Sequence, residues 1–299
     1  MAALGILYGL ACATGQSASY VFSRKFVLAH SGGPLRLFAV SHVIMGIISA
    51  AALPVLWPAG MPRWGQLAPP VAAMAGFYLV GQLSFFFVIR YVEASRASPL
   101  LGIKILVLAA IYLVLHEALS SWQWLAVAMG TAAVLVLGRS GKLLPWQAAV
   151  GILLTCVTYC VSDLNIAATV NMVKDATQLS VARSAMVSAA VCYVLCGAVG
   201  LALLPWVGRG NARAWLDACP FALCWLGAMV LFFACLGEVG PLYGNILQST
   251  RGIISILLGA VLARMGLVRL ERRTTRGVFL QRLVAAGLMV AAIALFLKD

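Results

Sequence analysis

The sequence predicts an all-α membrane protein of ten transmembrane helices, arranged as two inverted five-helix repeats. Three observations carry this. Of its 299 residues 63% are apolar and only 10% are charged, whereas a soluble domain carries about 25% charged and roughly 45–50% apolar residues. So little polar material cannot cover a water-facing surface. The apolar residues fall into uncharged runs, each near the roughly 20 residues that a helix needs to cross about 30 Å of hydrocarbon. Finally, short patterns recur about 147 residues apart. An outer-membrane barrel is excluded, because its strands would alternate polar and apolar residues.

Taken in order, the runs predict spans at 3–22, 35–57, 68–90, 97–115, 121–138, 146–168, 180–206, 215–236, 241–263 and 278–297. Gly, Pro and charged residues bound them, and Trp57, Trp64, Trp122, Trp124, Trp146, Trp206 and Trp215 mark their edges. An amphipathic indole prefers the headgroup level, so these read as anchors. Pro241 opens the ninth span at its first turn, where a missing donor costs nothing. Small residues one turn apart, Gly5/Gly9 and Gly240/Gly244, suit close helix approach. No signal peptide is expected, since the first charged residue is Arg24, beyond the first span.

The net charge of +13 would suggest nucleic acid in a soluble protein. Here the basic residues are scattered between apolar spans, so they read as topology anchors and lipid-headgroup contacts, and no nucleic-acid partner is expected. Fifteen Lys and Arg fall on the side of the odd-numbered connections and four on the other, with Lys104 and Arg251 left inside spans. The positive-inside rule then puts both termini outside. The eight cysteines lie mostly within spans and read as small buried side chains; neither a disulfide framework nor a metal site is implied.

The repeat divides the chain at 1–145 and 146–299. Residues 5–7 and 151–153 both read Gly-Ile-Leu; Leu35-Arg36 followed by Ser41 recurs as Ala182-Arg183 followed by Ser188; Phe85-Phe86 recurs as Phe232-Phe233. Five spans per half is odd, so the halves must lie upside down relative to one another. Such repeats place a binding site near the midplane where the halves meet, and rocking of one half against the other gives alternating access.

The first half closes on Tyr91-Val-Glu-Ala-Ser95-Arg-Ala-Ser-Pro-Leu100, then Leu115-His116-Glu117-Ala-Leu119-Ser-Ser-Trp-Gln-Trp124 and a small-residue span. This resembles the drug/metabolite transporter superfamily, in particular the EamA-type ten-span carriers, whose fourth span similarly opens on Ser and Ala and ends in Gly-Glu before a Gln-Trp. Arg36 fits the family's arginine at the start of span two. The resemblance covers essentially the whole chain and implies a carrier with spans four and nine lining a central cavity. Three features depart from it. Lys104 stands where the family usually has a Pro, the matched position in span nine is Arg251, and an extra basic stretch follows around Val268 to Arg276. The family's termini are usually cytoplasmic, against the charge count.

Lys104 and Arg251 are the strongest candidates for chemistry. A lone cation facing lipid at a helix centre costs about 2.5–3.5 kcal/mol, so such residues normally face a partner or a polar chamber. From repeat-related positions they would converge on one site and attract a carboxylate or phosphate, Arg with a planar fork and Lys with a movable point charge. The plastidic sugar-phosphate translocators of the same superfamily similarly use basic residues in a central pocket. The competing reading pairs Lys104 with Asp163, the only carboxylate well inside a span, and lets Arg251 snorkel or bond helix-end carbonyls. An amino acid or other zwitterion would then fit better, and an Asp163 free to titrate would allow proton coupling.

Gln16, Ser17 and Ser19 match Ser162, Asp163 and Asn165 across the repeat, as cavity lining or as packing bonds between helices. Tyr159 lies one turn before Asp163 on the same face. Gln82, Tyr91, Tyr112 and Tyr243 are weaker candidates for holding a ligand. His42 and His116 read as structural, and Glu117 and Glu238 as span-end residues that are solvated or paired.

The functional expectation is a secondary transporter of a small, anionic metabolite in the cytoplasmic (inner) membrane, with membrane lipids as its surroundings and no cofactor. Alternatives are an exporter of amino acids or amphipathic drugs, in which Lys104 and Arg251 are structural, and a lipid flippase. An enzyme is not expected: His116-Glu117 lacks the second His of a zinc protease helix, and no Gly-x-Ser-x-Gly elbow is present. Nothing in the sequence sets the oligomeric state.

Overall fold

A computed structural model describes residues 2–30, 32–92, 97–98, 100–116, 119–138, 144–208, 210–265 and 275–296. Of the motif and the charge count, Glu93, Ser95, Arg96, Glu117, Arg139, Lys142, Arg209, Arg269, Arg272, Arg273 and Lys298 lie outside these residues. Among the described residues the chain is helical throughout, without a strand. Its elements are α1 (Ala2–Ala29), α2 (Gly33–Leu56), α3 (Trp64–Tyr91), a 3-10 turn (Leu101–Ile103) leading into α4 (Lys104–Val114), α5 (Ser121–Gly138), α6 (Trp146–Thr177), α7 (Val181–Val207), α8 (Ala212–Ser249), α9 (Arg251–Arg264) and α10 (Arg276–Phe296).

Four single helices, α2, α3, α6 and α7, and the stretch Ala212–Arg264 taken together are long and apolar enough to cross a membrane, and the shorter stretch Leu101–Val114 is apolar as well. Large apolar side chains such as Leu7, Ile47, Leu153 and Leu201 point outward, which water would not tolerate on this scale and lipid does. The chain is an integral membrane protein.

Local chemistry explains the ends of these helices. Trp57 precedes Pro58, which drives it out of the helical region, and α2 stops there with Trp57 extended at ψ 114°. Ser180 and Asn211 open α7 and α8, each accepting a backbone N–H with its side chain. Two helices overrun the predicted spans: α1 continues to Ala29 and α6 to Thr177. The added segments contain Arg24, Lys25, Lys174 and Asp175. Charge limits immersion in hydrocarbon but not helix formation, for which Lys and Arg are good residues.

A second difference lies around the predicted eighth and ninth spans. No loop separates them: the chain remains helical except at Gly240, whose φ of 77° and ψ of 167° leave the helical region. Glycine tolerates that φ, and the ring of Pro241 removes the N–H that would continue the ladder. No atom lies within 4 Å of where a Gly240 side chain would sit, so this glycine serves the break rather than close packing. A further interruption at Thr250 separates α8 from α9.

Helices pair most extensively as α1 with α8, α2 with α7, α3 with α6 and α5 with α10. Glycines set the close crossings. A Cβ on Gly46 of α2 would stand 2.6 Å from the Cα of Gly197 on α7, and the reverse holds equally. Between α3 and α6, a Cβ on Gly81 would come within 2.6 Å of the Tyr159 ring. In lipid, where helix association draws little on the hydrophobic effect, such backbone approach is what tightens the bundle. Gly46→Ala is therefore expected to lower the melting temperature of the detergent-solubilised protein, with a cost of about 1–3 kcal/mol from overpacking. Gly76→Ala, on a helix face with open space, should leave it unchanged or raise it through the better helix former, by up to about 1 kcal/mol; thermal unfolding of both variants checks the contrast.

Candidate functional site

Both intramembrane cations stand at the first residue of a helix. Lys104 begins α4 directly after the 3-10 turn, and Arg251 begins α9 directly after Thr250. At both starts a side chain of a neighbouring helix also reaches the backbone. The Cys160 thiol on α6 donates to the Lys104 carbonyl at 3.4 Å, and the Ser17 hydroxyl on α1 donates to the Arg251 carbonyl at 3.0 Å. The two cationic segments are thus braced in the same way from opposite halves of the chain.

Neither side chain snorkels: Lys104 is 2% exposed and Arg251 1%. Their electrostatic situations differ. Lys104 Nζ meets Asp163 Oδ2 at 2.6 Å and donates to Gln248 Oε1 at 3.1 Å. The same Asp163 oxygen accepts from Asn245 Nδ2 at 2.8 Å. The ammonium also stands 5.3 Å from the centroid of the Tyr159 ring and 5.5 Å from that of Phe232, within reach of their negative faces. A buried ion pair recovers its desolvation cost when geometry is close and further hydrogen bonds support it; here the contact is close and an amide supports each partner.

Arg251 has no such partner. Its Nη1 donates to the neutral amide oxygen of Gln16 at 2.9 Å, its guanidinium carbon lies 6.0 Å from the centroid of the Tyr20 ring, and its Nε is buried without an acceptor. Among the described residues no carboxylate pairs with it. Gln16 is held in turn by a bond from its Nε2 to the Met229 sulfur at 3.3 Å.

These groups surround a cavity of about 10 Å3, room for about one water molecule, with Gln16, Lys104, Asp163, Gln248 and Arg251 as its polar wall. Tyr78, Tyr159, Trp225 and Phe232 supply the aromatic wall, and Ser162 and Met229 complete it. The volume is below the roughly 300–1,000 Å3 typical of drug-sized sites.

Of the residues singled out from sequence, Lys104, Arg251, Asp163, Tyr159 and Gln16 come together on this cavity. Gln82 stands behind it, accepting the Tyr159 hydroxyl at 2.6 Å, and Ser17 braces backbone. Asn165 and Tyr91 are not brought in. Asn165 bonds back to the Val161 carbonyl of its own helix, and Tyr91, at the end of α3, is 56% exposed. Register explains the first, since two residues beyond Asp163 a helix has turned to another face; depth explains the second. Tyr112 and Tyr243 pack in a separate apolar cluster. His42 is buried as a structural residue, with Nδ1 donating to the Phe38 carbonyl at 2.7 Å and Nε2 3.1 Å from the Tyr78 hydroxyl.

Sequence reasoning missed Gln248, Asn245, Tyr78, Trp225, Met229 and Phe232. Gln248 and Asn245 were open to the argument applied to Gln16, since each is a polar side chain within an apolar run. The aromatic residues carry no signal of their own, because most such side chains in spans merely pack.

Comparison with known proteins adds a likeness to one family. Residues 3–139, just under half of the chain, match the EamA-like transporter family. No curated protein matches in sequence. A solved crystal structure of another protein is similar over 95% of both chains at 17% identity with a TM-score of 0.61, a likeness of fold. The family likeness thus rests on the first half of the chain, and the likeness of fold spans both halves.

Proposed function

We propose that the protein is a secondary carrier that moves a small anionic metabolite by alternating access between two inverted five-helix halves, 1–145 and 146–299. The observation that carries the anionic reading is Arg251, a buried cation facing a cavity with only a neutral amide for company. A charge so placed is costly unless something completes it, and a ligand carboxylate or phosphate is the group that would.

Helix pairing supports the repeat. Under the 147-residue offset, α1, α2 and α3 correspond to α6, α7 and α8, and α5 corresponds in chain order to α10, after the extra basic stretch. Exchanging the halves turns the α1–α8 pair into the α3–α6 pair and returns α2–α7 and α5–α10 to themselves, the behaviour of a pseudo-two-fold arrangement. Interrupted helices carrying ligand-facing groups are also the usual way in which carriers build a site between repeats.

The pair of Lys104 with Asp163 favours a second reading, export of amino acids or amphipathic drugs with the basic residues structural. Uptake of radiolabelled carboxylates into proteoliposomes separates the two. Arg251→Gln is expected to lower uptake at least about tenfold, consistent with loss of a charge-assisted bond worth about 1.5–3 kcal/mol. Unchanged uptake in Lys104→Ala and Arg251→Ala would leave only the second reading standing. Breaking the pair is a stability matter on either reading: Lys104→Met strands a buried carboxylate and should cost about 3–5 kcal/mol, while Lys104→Met with Asp163→Leu should recover most of it, as read by thermal unfolding in detergent. Both termini are proposed to lie outside on the charge bias; a carboxyl-terminal reporter active only in the periplasm should then be active, and a cytoplasmic signal would reverse the orientation.

A further inference from the structure

We propose that the cavity selects ligands with one negative charge on a flat apolar body, and that Asp163 sets this charge selectivity by cancelling Lys104. This rests on the reading of the cavity as the carrier's substrate site, and it adds the valence and shape of the ligand and the residue that fixes them.

A count of the buried charges gives the valence. The cavity holds two cations and one carboxylate. Asp163 and Lys104 are in direct contact, and each has a further amide partner, Asn245 for the carboxylate and Gln248 for the ammonium. That pair presents little net charge to a ligand. Arg251 is left with one elementary charge, a single bond to a neutral amide and a buried Nε without an acceptor, although a guanidinium has five donors in a planar fork. One carboxylate satisfies that fork bidentately. A second negative charge would enter a low-dielectric site that has nothing left to neutralise it. A zwitterion's ammonium would find the one carboxylate already occupied and would stand near an uncompensated guanidinium.

The walls give the shape. Tyr78 stacks toward Tyr159 with ring centroids 6.2 Å apart at 15°, and toward Trp225 at 6.3 Å and 27°. Together with Phe232 and Met229 they form an apolar surface beside the charged groups. Such a wall favours a flat apolar body laid against it over a bulky polyol; the space between the walls, about 10 Å3, holds about one water molecule, so a ligand of this kind enters as the walls part.

The test uses the purified full-length protein and four probes of similar body: benzoate, benzamide, terephthalate and phenylalanine. Equilibrium binding at neutral pH is read alongside uptake into proteoliposomes. Wild type should bind benzoate at least about tenfold more tightly than each of the other three. Asp163→Asn frees the Lys104 charge and should move the benzoate-to-terephthalate ratio at least about tenfold toward the dianion. Asp163→Asn with Lys104→Gln removes both charges, so it should keep the monoanion preference and serves as the control if the single variant does not fold. Arg251→Gln should lose benzoate, and Arg251→Lys should recover part of it. Equal binding of benzamide and benzoate, a wild-type preference for terephthalate or phenylalanine, or no binding of any probe would overturn the proposal, as would an unmoved ratio in a folded Asp163→Asn variant. If the charge order holds in binding but no probe crosses the bilayer, the carrier reading fails and the site stands. If other solutes cross without any charge order, the site fails and the carrier stands.

Discussion

The contact between Lys104 and Asp163 is the constraint on which the rest of the structure depends. Two full charges have left water for the interior of a helix bundle, a transfer that costs several kcal/mol per ion unless the partners sit close and their remaining hydrogen bonds are filled. Meeting that condition ties three elements together. Lys104 opens α4, Asp163 lies in the middle of α6, and Asn245 and Gln248 lie on the last turns of α8. The amides of α8 that reach the pair lie beyond the break at Gly240. Charge, helix interruption and interhelical packing are one arrangement here.

The helix starts that carry the cations are also tied to their neighbours: Ser17 of α1 donates to the Arg251 carbonyl and Cys160 of α6 to that of Lys104. Packing elsewhere relies on small residues: Gly46 against Gly197, and Gly81 beneath Tyr159, bring α2 to α7 and α3 to α6 so closely that no side chain would fit between. Tight crossings thus hold the bundle together around a polar centre.

Much of this was legible in the sequence, because hydrophobicity and charge act locally and leave a readable trace. Lys104, Asp163 and Arg251 stood out as charges within apolar runs, and all three face one cavity. Gln16 and Tyr159 followed from spacing. Helix ends were less legible: α1 and α6 outrun their apolar segments, since helix formation and immersion obey different rules, and Gly240-Pro241 gave a break within a continuing helix rather than a loop. The aromatic wall of Tyr78, Trp225 and Phe232 was invisible, because which of many similar rings meet depends on the rotation of each helix about its axis. That rotation is set by packing partners far away in sequence. For the same reason Tyr91 and Asn165 had the right chemistry at the wrong angle or depth.

The two breaks also seat the cations differently. Lys104 follows a 3-10 turn whose Leu101 is buried and whose carbonyl accepts from the Cys156 thiol at 3.8 Å. Arg251 follows Thr250, whose hydroxyl turns back to the Leu247 carbonyl at 2.7 Å, and a further break at Gly240 precedes it in the same half. The stretch between these two interruptions carries both Asn245 and Gln248. As one short rod it moves both amides together, so any change in its tilt acts on the carboxylate and the ammonium of the ion pair at once.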